Sequence, residues 1–326
     1  MPLTRRKVLY LGGGAAIAAA APSLASAQTY PTRPVRLIVG FPAGGSTDII
    51  ARDIGNELEK VWGQPVIVDN RAGANGAIAA AQFAKLPADG HTLMMIVSGH
   101  VTNPLALPNA GYDAIKDFTP ITLVASSPLL IFANAEYQVS DIKALISLAK
   151  EKPNTVSYAS PGVASINHLS MELMASLTRT KLMHVPYRGA PTALNDVIGG
   201  HVPLAVFSVA QTLPLLQSKA VKPLAVTSAK ATDLLPNVPS LAEVGVKDYE
   251  AELWWAVIAP AGLPPAVAAK INADVTRIVK SSTMQQRLVA QGARPIGSTP
   301  DELAAFMQAE SAKWARVIKD AGIKGE

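Results

Sequence analysis

The chain has 326 residues, with 29 Lys+Arg against 24 Asp+Glu and 49% hydrophobic residues, and it contains no cysteine. The missing thiol excludes disulfide stapling, cysteine nucleophiles, thiolate metal sites and a lipid anchor on cysteine. Three basic and no acidic residues fall in the first 27, so the rest carries 26 basic against 24 acidic residues, a net charge of +2. No basic run remains that would demand nucleic acid or an anionic membrane as partner.

Thr4-Arg5-Arg6-Lys7 opens the chain, Val8 to Ala21 is apolar, and Ala25-Ser26-Ala27 offers a small-residue cleavage site before Gln28. That is the pattern of a secretory signal peptide over 1–27, and the arginine pair leaves both Sec and twin-arginine export open. The product is expected in the periplasm, an oxidising bacterial compartment. Short runs rich in Val, Ile and Leu then predict strands at 35–41, 66–70, 92–97, 121–132, 156–159, 182–185, 204–208, 221–227 and 254–259. Helical patterns predict helices at 47–61, 77–85, 140–150, 166–177, 191–199, 212–218, 265–281, 284–291 and 300–321. This alternation predicts an α/β fold with parallel sheet. The roughly 300 residues past the leader suit two lobes. Long strand-like segments at 119–134 and 250–260 are candidates to cross between them. The first lobe would then be discontinuous, 28–124 plus 253–326, with 125–252 as the second and a cleft that closes by hinge motion.

Loops of one kind follow several strands. Phe41-Pro-Ala43-Gly44-Gly45-Ser46-Thr47-Asp48 runs from a strand into a helix start. Free N–H groups at a helix N-terminus attract anions, and glycines let a ligand approach the backbone. Ser98-Gly99-His100, Ser160-Pro161-Gly162-Val-Ala-Ser165-Ile-Asn-His168 and Tyr187-Arg188-Gly189 follow further strands. Ligands of open α/β sheets bind outside the carboxyl ends of the strands, where such loops can converge. Every residue also has a structural reading. The glycines suit a tight turn, Ser46 and Ser165 suit N-caps, and His100 and His168 suit capping or packing. Asp48 suits bracing of backbone donors, and Tyr187-Arg188 suits a solvated turn.

Chemistry-bearing motifs are missing. There is no G-x-S-x-G elbow, no Walker lysine after Gly-Gly-Ser-Thr, no G-x-G-x-x-G after a strand and no paired metal-ligand histidines. An exported hydrolase with a base at His100 or His168 remains the enzymatic alternative, and a sensor feeding a membrane histidine kinase is a second.

The chain resembles the periplasmic solute-binding proteins of tripartite tricarboxylate transporters, also called Bug proteins. The likeness is carried by Tyr30-Pro-Thr-Arg-Pro34, Phe41 to Asp48, Gly63 to Gly76, Ala88 to Leu93, His184-Val-Pro-Tyr-Arg-Gly189, Leu235 to Ser240 and Trp254 to Pro264. It implies a type II periplasmic-binding-protein fold, two Rossmann-like lobes joined by two crossing strands. It also implies capture of a small organic mono-, di- or tricarboxylate without catalysis, cofactor or metal, by a monomer that delivers it to membrane transporter subunits. Carried over by position, Phe41, Ala43, Gly44, Gly45, Ser46, Thr47 and Asp48 would form the first-lobe ligand loop. Ser160, Gly162, Ser165 and His168, with Tyr187, Arg188 and Gly189, would form the second, and Ser98 and His100 would line the cleft floor or its edge. Arg188 is a candidate to neutralise a second carboxylate. Pro161 ahead of Gly162 departs from the family pattern and bears on the contacts of Ser160.

Overall fold

The computed structural model describes residues 30–323 apart from Pro108 and Arg188. The predicted signal peptide lies outside the described residues. The strands are β1 Val35–Val39, β2 Val66–Asn70, β3 Thr92–Val97, β4 Phe118–Asn134, β5 Ser157–Ser160, β6 Met183–Pro186, β7 Leu204–Ser208, β8 Val221–Val226, β9 Glu252–Pro260 and β10 Arg294–Pro295. The helices are α1 Ser46–Trp62, α2 Ala77–Phe83, α3 Gly99–Ala106, α4 Ile142–Glu151, α5 Ile166–Thr178, α6 Ala190–Ile198, α7 Val209–Gln217, α8 Pro265–Val279, α9 Ser282–Ala290 and α10 Pro300–Asp320.

The strand order is β2-β1-β3-β9-β4-β7-β5-β6, with β8 and β10 also paired to β4. β4 pairs with β9 from Phe118 to Pro128 and with β7 from Leu129 to Ala133, so one 17-residue strand belongs to both sheets. Its burial is nearly continuous, as expected of a strand covered on both faces.

Strand direction places the loops. β1 runs parallel to β2 and β3, β3 runs antiparallel to β9, and β9 runs antiparallel to β4. The first-lobe strands therefore point the same way as β4, toward the second lobe. β7 runs antiparallel to β4 and parallel to β5, which is parallel to β6. The second-lobe strands therefore point back toward the first. The carboxyl ends of both strand sets, and the helix starts after them, meet across the junction.

Each lobe packs its own core on both sheet faces. Ile50, Ile54, Trp255 and Ile271 lie on one side of the first sheet, and Phe83, Ile96, Phe118 and Trp254 on the other. Leu145, Tyr158 and Leu169 pack on one side of the second sheet, Phe132 and Phe207 on the other. Helix α10 spans the junction. Its Leu303 and Met307 sit in the first-lobe core, whereas Trp314, Val317 and Ile318 sit in the second. Glu310, buried between them, accepts Nε1–H from Trp254 at 3.2 Å and from Trp314 at 2.9 Å.

Candidate functional site

The loop from β1 to α1 is shaped by one carboxylate. Gly44 takes φ +84°, a conformation open to glycine, and lets the chain turn back. Asp48, in the first turn of α1, then accepts the Gly44 N–H at 2.9 Å, Arg52 Nε at 3.0 Å and Asn70 Nδ2 at 3.0 Å. Burial opposes its ionisation, but the donors from Arg52, Gly44 and Asn70 prevail and hold the carboxyl below its ordinary range. Asn70 also donates to the Phe41 carbonyl at 3.1 Å. The N-cap of α1 is Gly45, which has no side chain to cap the helix. Among the described residues, nothing hydrogen-bonds the N–H groups of Gly45, Ser46 and Thr47. They stand at the positive end of a 17-residue helix. Thr47 Oγ1 receives Trp255 Nε1–H at 3.1 Å, which fixes this helix start to crossing strand β9.

The loops after β2 and β3 back this site. Asn75 Nδ2 donates to Asn103 Oδ1 and Asn103 Nδ2 donates to the Asn75 carbonyl, both at 3.1 Å, and a Cβ on Gly99 would stand 2.5 Å from Asn75 Nδ2. A larger residue there would displace the Asn75 amide. Ser98 is fully buried, and its hydroxyl has no partner among the described residues. His100 is also buried. Its ring stacks on Tyr112 at 5.1 Å and meets Phe118 edge-on at 4.7 Å, while Nε2–H donates to the Ala114 carbonyl at 3.1 Å. Burial pushes its pKa down to about 4, so it stays neutral.

The second-lobe loop is held by histidines. Ser160 is fully buried, and its Oγ contacts His184 Nε2 at 2.7 Å, the Gly162 carbonyl at 3.0 Å and the Gly162 N–H at 3.2 Å. Ser165 is the N-cap of α5: its Oγ accepts the His168 N–H at 3.2 Å and donates to the Gly162 carbonyl at 2.7 Å. His168 Nδ1 accepts the Ala164 N–H at 3.1 Å. Its ring stacks on His184, centroids 3.7 Å apart, and the Tyr158 ring lies beside the pair, 5.1 Å from His184 and 6.4 Å from His168. Burial pushes His168 to about 3, with His184 adding to the shift, and pushes His184 itself to about 4. The neighbouring loop is zipped on: Tyr187 N–H donates to Ser160 O at 3.0 Å and Gly189 N–H to Pro161 O at 3.2 Å. One contact joins the lobes here. Thr102 Oγ1 of α3 donates to the Ala164 carbonyl at 3.2 Å.

The model of the tripartite tricarboxylate transporter family receptor matches residues 50–323 of this chain. The chain belongs to this receptor family. BugT of Bordetella pertussis is 35% identical over 304 residues, covering 92% of each chain. An R. palustris protein solved with adipate superposes with a TM-score of 0.83 at 38% identity, over 90% of this chain and 99% of that one. MatC of Rhodopseudomonas palustris, solved with bound malate, gives 0.79 at 31% identity, over 89% and 100%. The resemblance read from the motifs holds, and so does the two-lobed α/β fold. The family is one of binding proteins rather than enzymes. No described helix is long and apolar enough to cross a membrane.

Within this receptor the sequence-predicted residues separate into distinct duties. Gly45, Ser46 and Thr47 offer unpaired donors, beside exposed Ala43 and half-buried Phe41, which packs over Gly76. The N–H groups of Gly44 and Gly189 are both taken inside the protein, by Asp48 and by the Pro161 carbonyl. The His100 ring packs in the first-lobe core against Tyr112 and Phe118. Asp48, Ser160, Ser165 and His168 are braces of their loops. Gly162, at φ +149°, gives up its N–H and its carbonyl to Ser160 and Ser165. The Tyr187 hydroxyl is engaged by Asp196 at 2.5 Å, and burial beside that carboxylate pushes it up to about 12. Arg188 lies outside the described residues. Sequence reading missed Thr102 and the start of α7, where Ser208 caps the helix by accepting the Gln211 N–H. Helix α3 was hidden by Pro104 inside it, and Ser208 carried the same strand-then-serine signal as Ser160. A surface groove of about 490 Å³ lined by Lys150, Asn154, Arg179 and Lys181 lies at the opposite, amino ends of β5 and β6, away from these loops.

Proposed function

We propose that the receptor captures a small organic carboxylate between its lobes and delivers it to the membrane subunits of a tripartite transporter. The observation that carries this reading is the uncapped start of α1. Three unpaired N–H groups, at Gly45, Ser46 and Thr47, face the second lobe from the positive end of a long helix, beside a carboxylate already neutralised by Arg52. Each charge-assisted hydrogen bond to a bound carboxylate contributes about 1.5–3 kcal/mol. The second lobe supplies the N–H groups of Val163, Ile166 and Asn167, unpaired among the described residues. Bridging waters complete the shell where direct contacts fall short. Relatives holding adipate and malate support the ligand class.

The moving bodies in this reading are 28–124 with 253–326, and 125–252, with the end of α10 riding on the second. In this reading the protein acts as a monomer in the periplasm, and Arg188 is a candidate to neutralise a second carboxylate. Calorimetry with a panel of mono-, di- and tricarboxylates tests the reading. Binding of a carboxylate with one-to-one stoichiometry is expected. Binding of neutral sugars or cations, and of no carboxylate, would overturn it.

A further inference from the structure

The second-lobe loop holds a strained residue at a side-chain hydrogen bond described between the cleft loops of the two lobes. Ala164 sits at φ +58°, a region that residues other than Gly, Asn and Asp rarely enter. It is 2% exposed, so its N–H and carbonyl must both find partners. They find them on opposite sides. The N–H goes to His168 Nδ1 at 3.1 Å, within the second lobe. The carbonyl receives the Thr102 hydroxyl at 3.2 Å, from the first lobe.

The imidazole is tightly specified. Because Nδ1 accepts an N–H, its own proton must sit on Nε2, which faces Glu172 Oε1 at 3.7 Å. Glu172 is in turn held by the Tyr158 hydroxyl at 2.7 Å. His184 covers one face of the ring at 3.7 Å, and the Tyr158 ring lies 6.4 Å away. Ser165 caps α5 at the His168 backbone and so sets where this ring begins. On the other side, the Thr102 hydroxyl has a second acceptor in its own helix, the Gly99 carbonyl at 3.4 Å. Opening the lobes therefore leaves the hydroxyl paired. It can switch between an internal and an inter-lobe acceptor.

We propose that His168 is a positioning residue for lobe closure: by accepting the Ala164 N–H it holds Ala164 in the left-handed conformation that presents its carbonyl to Thr102. The proposal rests on the closing-cleft reading above for its role in capture, but its geometry stands in the ligand-free protein. A protonated His168 would place two N–H groups against each other at Ala164. The latch therefore releases in acid, and this fits the strong downward push that burial and His184 exert on the ring.

The test uses three full-length variants. His168→Asn keeps an acceptor where Nδ1 stood and removes the titration. His168→Leu removes the acceptor, and Thr102→Val removes the donor at nearly constant shape. Amide hydrogen exchange at Ala164, small-angle scattering of the ligand-free protein and adipate calorimetry are the readouts. His168→Leu should speed Ala164 exchange about tenfold, the equivalent of one hydrogen bond, and shift scattering toward the open form. Thr102→Val should shift scattering without freeing the Ala164 N–H. His168→Asn should match the wild type at pH 7 and lose the acceleration of exchange below pH 6. Unchanged exchange and scattering in His168→Leu, or a His168→Asn variant that keeps the acid response, would overturn the proposal. If His168→Leu fails to fold, Thr102→Val and the wild-type acid titration decide it. Absence of adipate binding in every form bears on the ligand reading alone, because exchange and scattering need no ligand.

Discussion

The two cleft loops look alike in sequence and are built by opposite means. Both leave a strand, pass glycine and serine, and open a helix. In the first, a buried carboxylate at Asp48 gathers Gly44, Arg52 and Asn70 and leaves the helix start uncapped and its donors free. In the second, neutral imidazoles hold the chain from behind and Ser165 caps the helix. A loop braced by a charge can spare its N–H groups for an anion. A loop braced by hydrogen-bond acceptors spends several of its own groups and gains a fixed shape instead.

The largest expected effect comes from removing the charged brace. Asp48→Ala leaves Arg52, Asn70 and the Gly44 N–H without their acceptor and should lower stability by about 2–3 kcal/mol while abolishing carboxylate binding. Urea unfolding and calorimetry measure both. Wild-type stability in that variant would show that the loop does not depend on the carboxylate.

Acid should separate the loops. Unfolded imidazole titrates near ~6.5. His168 and His184, pushed by burial to about 3 and about 4, contribute stability that is whole above the unfolded value and lost as pH falls toward the folded ones. Asp48 is also lowered, but from a carboxyl range, so its contribution persists until pH falls through its folded value. Between pH 6.5 and 4.5, Ala164 protection from exchange, corrected for intrinsic rate, should therefore drop by up to about a hundredfold, two pH units' worth of linkage. Gly44 protection should hold. Equal losses at both amides would erase the contrast. His100, also pushed to about 4 by burial, adds to the global loss of stability in acid and does not distinguish the loops.

The smallest effects exchange the caps. Ser165→Ala should lower stability by about 1 kcal/mol. Gly45→Asp places a cap at φ −78°, ψ 166°, a conformation any residue adopts, and should raise stability by a few tenths of a kcal/mol. The same variant should weaken binding of the carboxylate identified by calorimetry at least about tenfold, because its own carboxylate takes the N–H groups and repels the ligand. Unweakened binding would show that the ligand sits elsewhere.

Much of this was readable in the sequence. β2, β3 and β7 follow apolar runs with clear breakers and lie where the pattern placed them, and the strand shared by both sheets, β4, announced itself by length. The glycine turn into the start of α1 was visible in Gly44-Gly45-Ser46. The division of labour was not, because it depends on contacts across many residues. Asn70 reaches Asp48, His184 reaches Ser160, and Thr102 reaches Ala164 over separations of 22, 24 and 62 residues. A lone histidine after a strand reads equally as ligand contact, cap or core. His100 and His168 carried the same signal and became a core ring and a loop brace. Helix α3 escaped because proline in a short segment argues against helix. β10, two residues paired to β4, has no periodicity to find.

The central claim is that a carboxylate rests on the uncapped start of α1. An amide chemical-shift titration of the protein with adipate, or with whichever carboxylate calorimetry finds to bind, tests it most directly. Gly45, Ser46 and Thr47 N–H resonances should shift together and saturate at the calorimetric dissociation constant, with Gly44 moving little because Asp48 already holds it. Saturable binding of the carboxylate that leaves those three amides in place would contradict the account.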